Sequence, residues 1–86
     1  MKQELKIITP NYAALLLKNQ RNPRKLSQWH VSEFTRHIKQ GTFETTHQGI
    51  ALDVDGRLVD GQHRLSGVVE AGKDVMMWVA SDVSDD

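Results

Sequence analysis

With 86 residues, 38% of them hydrophobic, the chain has material for one small domain, and folding at this length buries only about 60% of the surface that the unfolded chain exposes. The absence of cysteine excludes disulfide staples, thiolate metal centres and thiol nucleophiles. A formal charge of zero argues against a strong nonspecific DNA binder, which needs many phosphate contacts.

The first residues lead into no long apolar run, and the longest one, Ala13 to Leu17, is far too short to span a bilayer. The expectation is a soluble, unexported, cytoplasmic protein with one domain over residues 1–81 and a short acidic tail over 82–86. That tail carries three carboxylates, Asp82, Asp85 and Asp86, and chain ends of this kind are expected to fray.

In chain order, Leu5 to Ile8 reads as a strand. Thr9-Pro10 supplies an N-cap followed by proline at the first helical position, so a helix is expected from Pro10 to about Asn19, with Ala13, Ala14, Leu16 and Leu17 on its apolar side. The polar run Asn19 to Lys25, which contains Pro23, reads as an exposed loop. Ser27 is the next N-cap, and the helix after it runs to about Gln40, where Gly41 suits the left-handed closing position. Val31, Phe34 and Ile38 form its apolar face, with Trp29, His30 and His37 at the rim.

From Thr42 to Gln48 the chain is a polar connection in which Phe43 is the obvious anchor. Gly49 to Asp53 and Arg57 to Val59 flank Val54-Asp55-Gly56, whose Asp-Gly pair signals a hairpin. Asp60-Gly61 breaks the second strand, and a helix follows from Gln62 to Ala71, stopped by Gly72. Val75 to Val79 closes the pattern as a buried strand. The order strand, helix, helix, hairpin, helix, strand predicts a small α/β domain, a mixed sheet with three helices.

The corner between Val59 and Leu65 carries the most chemistry. Gly61 lets the backbone approach a ligand, and a helix begins immediately after it. The unpaired N–H groups and positive dipole end of a helix start form an anion site, and the fork of Arg64 suits phosphate oxygens. Gln62 offers a donor and an acceptor, and His63 a hydrogen bond or a proton shuttle. The phosphate-binding candidates are therefore Gly61, Gln62, His63 and Arg64, and the catalytic candidates are Asp60 and His63. A plain structural role, with Asp60 capping the helix and Arg64 pairing with a surface carboxylate, explains the same residues.

The string Asp60-Gly61-Gln62-His63-Arg64-Leu65 resembles the Gly-x-x-Arg helix-start box of the ParB/sulfiredoxin superfamily. There a strand and turn precede the box, a helix follows it and a further strand ends the core, which corresponds to residues 50–80. The resemblance covers most of the chain, more weakly before Gly49. In ParB proteins the box contacts a nucleoside triphosphate, in sulfiredoxins it holds phosphate beside a catalytic cysteine, and in archaeal free-serine kinases a similar stretch serves phosphoryl transfer. The resemblance implies that Gly61, His63 and Arg64 bind phosphate and that Asp60 is a catalytic or metal-facing carboxylate. It also implies a nucleotide, CTP or ATP with Mg²⁺, as ligand or cofactor. Gln62 stands where sulfiredoxins have cysteine, so their sulfur chemistry is excluded, and 86 residues leave no room for the helix-turn-helix domain that ParB proteins carry. The short form resembles ParB-like proteins of phages and mobile elements.

Residues 18–39 hold six lysines and arginines against Glu33 alone, a local charge of +5. Within this stretch Arg21, Arg24, Lys25 and Arg36 are candidate phosphate contacts, with Trp29 stacking on a base; a solvated loop and helix face is the competing explanation. His30 and His37 share a helical face but lack an acidic third ligand nearby in sequence, so no metal site is assigned. Met76, Met77 and Trp78 suggest core packing. Glu44 and Asp53 are polar residues that could join Asp60 around a divalent ion, although solvated turns account for them.

The first expectation is a module that binds nucleotide or nucleic-acid phosphate, with a metal-dependent nuclease or phosphotransferase as its enzymatic form. A non-catalytic, inhibitor-type protein that binds a protein partner is the alternative.

Overall fold

Two capped helices follow the first strand. The computed structural model of the protein describes residues 1–21, 23–43 and 49–83, and in it the Thr9 hydroxyl accepts the Tyr12 N–H at 3.1 Å to start α1, Pro10–Lys18. Ser27 does the same for α2, Gln28–Gln40, by accepting the His30 N–H. Gly41 closes α2 at φ +74°, a conformation that costs a residue without Cβ nothing. Ala13 and Leu16 of α1 and Val31 and Ile38 of α2 are buried, as the apolar spacing predicts.

The sheet has four strands in the order β1-β4-β2-β3, formed by Lys2–Ile8, Ile50–Leu52, Leu58–Asp60 and Val75–Ser81 in chain order. β1 runs antiparallel to β4, β4 parallel to β2, and β2 antiparallel to β3, so the expected mixed α/β sheet with three helices is the fold. β1 begins three residues earlier than the sequence suggests. Its side chains other than Ile8 are exposed, so seven backbone pairs with β4 define it rather than apolar alternation.

Along β4 the burial alternates. Val75, Met77 and Val79 are buried beneath the helices, whereas Met76 is exposed and Trp78 half-buried on the opposite face. The three methionine and tryptophan residues thus divide between the two sides of the strand, as the two-residue period requires.

The β2–β3 hairpin is built around Asp53. Its Oδ1 accepts the backbone N–H groups of Asp55 and Arg57, both at 2.9 Å, and its Oδ2 lies 3.4 Å from the Arg21 guanidinium and 3.3 Å from Arg57 Nε. Asp53 is therefore a buried turn organiser, which corrects the expectation of a solvated residue or metal ligand. The backbone N–H of Arg57 is the main cause that holds its carboxyl below the usual carboxylate range, with the Asp55 N–H and both guanidiniums adding to it against burial. Glu44, most of the 42–48 connection and the last three residues of the acidic tail lie outside the described residues.

Helix α3, Gln62–Ala71, packs against α1 and α2. Leu65, Val68 and the small residues Ser66 and Gly67 are buried along it. A Cβ at Gly67 would stand 2.8 Å from Phe34 Cβ and 3.3 Å from the Thr35 nitrogen, so the missing side chain sets how closely α2 approaches α3. On the outer side of β3, Leu58 accepts a hydrogen bond from the Arg21 N–H at 2.9 Å and donates its own N–H to the Asn19 carbonyl at 3.0 Å. The chain leaving α1 thereby covers that edge of the sheet.

Candidate functional site

At the end of β3 the backbone reverses at Gly61, whose φ is +110°. Two constraints select glycine there: the positive φ, and the proximity of Ile50, whose Cγ2 would lie 2.5 Å from any Cβ. The Gly61 N–H donates to Asp60 Oδ1 at 2.9 Å. This consumes one carboxylate oxygen on the turn, so Asp60 is not the N-cap of α3. Gly61 holds that position, and among the described residues no side-chain cap bond closes the helix start. The N–H groups of Gln62, His63 and Arg64 consequently begin the helix without an intrahelical acceptor, and no acidic residue occupies the first turn to offset the dipole.

Gln62 and His63 have other tasks. Gln62 Oε1 accepts the Arg24 N–H at 3.1 Å while Gln62 Nε2 donates to the Arg24 carbonyl at 2.7 Å. His63 Nε2 accepts the Ser27 N–H at 2.9 Å, which requires that nitrogen to be unprotonated. Three backbone groups of the 24–27 segment are thus clasped onto the start of α3. The sequence reading placed both side chains on a phosphate; here they hold the neighbouring loop, and Arg24 is fixed beside the corner as a result.

The clasp and the corner enclose a cleft of about 100 Å³, lined by Arg24, His30, Phe34, Asp60, Gly61 and Arg64 among others. The Arg64 guanidinium stands over the Phe34 ring, 5.1 Å from its centroid, in cation–π range. The His30 and His63 rings are 5.4 Å apart, and Trp29 meets His30 edge-on at 5.2 Å. Trp29 itself is 68% exposed. Asp60 is the one carboxylate among the described residues that line the cleft, against two guanidiniums and the helix dipole.

The candidate nucleic-acid contacts separate into two groups. Arg24 lines the cleft, Lys25 and Trp29 are exposed on the adjoining segment, and neither Arg24 nor Lys25 has an ion-pair partner among the described residues. Arg21 and Arg36 are engaged elsewhere. Arg21 joins Asp53 at the hairpin, and Arg36 donates to Glu33 at 2.9 Å within its own helix, an ion pair that lowers the Glu33 pKa. Arg36 borders a separate shallow depression with Lys39 and Glu70. His37 Nδ1 lies 2.9 Å from Thr42 Oγ1, and among the described residues no three His, Asp or Glu groups come together as a metal set.

Sequence reasoning identified the corner but missed the clasp. The Gln62 and Arg24 partners are 38 residues apart, and a side chain bonded to a backbone leaves no residue-type signature. It also missed Gly67, whose signal was a glycine in the middle of a helix with no turn to explain it.

No protein-family model matches the chain, and no curated protein or solved structure shows a significant match to it. No helix among the described residues is long and apolar enough to cross a membrane.

Proposed function

We propose that the chain is a ParB/sulfiredoxin-like module that binds a phosphate group of a nucleotide or nucleic acid at the β3–α3 corner. The observation that carries this reading is the first turn of α3, which starts at Gly61 without a side-chain cap among the described residues and lines one cleft with Arg24 and Arg64. Backbone N–H groups at a helix start, a positive dipole end and planar guanidiniums are the donors that phosphate oxygens use.

Size restricts what enters. Sites for whole small molecules occupy roughly 300–1,000 Å³, and this cleft offers about 100 Å³, so the phosphate is held and the rest of the ligand lies outside. The exposed Trp29 ring and Lys25, which has no ion-pair partner among the described residues, lie alongside, where a base and a further phosphate would rest. If Mg²⁺ accompanies the ligand, Asp60 is the carboxylate placed to share it with phosphate oxygens, since Mg²⁺ commonly takes one or two carboxylates together with substrate phosphates. The role assigned to the protein is electrostatic capture.

Calorimetric titration with CTP, ATP, a single-stranded oligonucleotide and a short duplex, with and without Mg²⁺, tests this. A charge-assisted contact contributes about 1.5–3 kcal/mol, so Arg24→Ala and Arg64→Ala should each weaken binding by about tenfold to a hundredfold. Binding of equal strength in both variants would exclude the corner, and no binding of any ligand would favour the alternative of a protein-binding, inhibitor-type role.

A further inference from the structure

The two edges of the sheet are unlike. The β3 edge is covered by the chain leaving α1, whereas β1, seven residues long, pairs on one side with β4 and on the other with nothing among the described residues. An open edge of this length is a template for another strand, and proteins usually protect it by shortening, bulging or covering. Among the described residues β1 is neither shortened, bulged nor covered, and its charged side chains Lys2, Glu4 and Lys6 are the one protective device it carries.

The sequence of β1 is self-complementary. Its central residue is Leu5, and a two-fold axis through Leu5, normal to the sheet, is the antiparallel arrangement that pairs the whole strand Lys2–Ile8 with its copy. In that register Leu5 faces Leu5, Gln3 faces Ile7, and Glu4 of each chain faces Lys6 of the other. The neighbouring registers, centred on Glu4 or on Lys6, place Glu4 on Glu4 or Lys6 on Lys6. Like charges directly opposite destabilise a pair of strands and unlike charges stabilise it. Glu4 and Lys6 are about half exposed and pair loosely within the chain at 3.5 Å, so both are available to switch partners.

Apolar surface points the same way. On the face away from the helices, Leu5 is 45% exposed, Ile7 60% and Met76 45%, and the strand register sets Leu5 beside Trp78 and Ile7 beside Met76. Two-fold pairing at Leu5 would join these patches from both copies into one continuous strip. We propose that β1 is the seam of a homodimer, in which two four-stranded sheets become one of eight strands, with Glu4–Lys6 pairs crossing the seam twice. The seam is short compared with a permanent interface, so association is expected to depend on concentration.

Sedimentation analysis of the whole chain from micromolar to millimolar concentration tests the proposal. The wild type should move from 9.8 kDa towards twice that mass. Glu4→Lys alone and Lys6→Glu alone each set like charges opposite each other twice and should return the chain to monomer, with the circular dichroism spectrum unchanged because both sites are on the surface. An equimolar mixture of the two variants restores opposite charges at every position and should dimerise again. A wild type that remains at 9.8 kDa throughout, or a dimer that neither reversal weakens, would overturn the proposal. The second result would point instead to stacking through the open apolar face.

Discussion

Replacing Gly67 by alanine separates helix propensity from packing. Alanine is favoured over glycine in a helix interior by about 1 kcal/mol, so the sequence alone makes Gly67→Ala a stabilising change. The structure reverses the sign. The new Cβ would stand 2.8 Å from Phe34 Cβ and 3.3 Å from the Thr35 nitrogen, atoms fixed to the α2 backbone that no rotamer change can move. Overpacking of this kind costs about 1–3 kcal/mol, which leaves a net loss of about 1 kcal/mol after the propensity gain. For a domain of this size that is a fall in Tm of about 4–8 °C, out of a total stability of roughly 4–13 kcal/mol. Thermal unfolding followed by circular dichroism measures it. Since α2 carries His30 and Phe34 and α3 carries Arg64, the same substitution should also open the cleft and weaken phosphate binding. A Tm equal to or above that of the wild type would refute the close-approach argument.

Gln62→Ala removes both hydrogen bonds to the Arg24 backbone and should cost about 1 kcal/mol of stability. Its larger effect should be on affinity, and in an Arg24→Ala background it should weaken binding no further; additive losses would show that Gln62 does not act through Arg24. Gly61→Ala meets both a positive φ and Ile50, so a loss of about 2 kcal/mol or more is expected, readable as a lowered urea midpoint with unchanged slope. The Asp53 carboxyl has its pKa lowered in the fold, so the stability it supplies is present above the unfolded value of about 3.9 and is lost as pH falls below it. Acid unfolding followed by Trp fluorescence should accordingly be steeper below pH about 4 in the wild type than in Asp53→Asn, and parallel profiles would contradict the linkage.

The legibility of this fold in its sequence depended on how local the causes were. Thr9-Pro10, Ser27 and Gly41 act within a turn of themselves, so α1 and α2 were found nearly to the residue. Asp55-Gly56 located the hairpin and Gly61 the start of α3 for the same reason. What the sequence concealed is long-range. The first residues of β1 join the sheet because β4 supplies partners more than seventy positions away. Asp53 looked like a solvated turn residue, but its environment comes from Arg21 as well as from the turn. Arg36 looked like part of a basic face, yet Glu33 on its own helix takes it up. Gln62 and His63 were recognised as polar groups at a helix start, whereas only the folded chain reveals that backbone groups of the 24–27 segment satisfy them.

The N–H groups at the start of α3 are the centre of the proposed function, and amide chemical shifts report on them one residue at a time. The deciding measurement is a titration of the ¹⁵N-labelled chain with orthophosphate and then CTP, followed by amide correlation spectra. Saturable, concerted downfield shifts at Gln62, His63 and Arg64, with a midpoint raised about tenfold or more by Arg24→Ala, are the expected result. Shifts concentrated elsewhere, such as around Arg36 and Lys39, or no saturable shift at the start of α3, would contradict the assignment of this corner as the phosphate site.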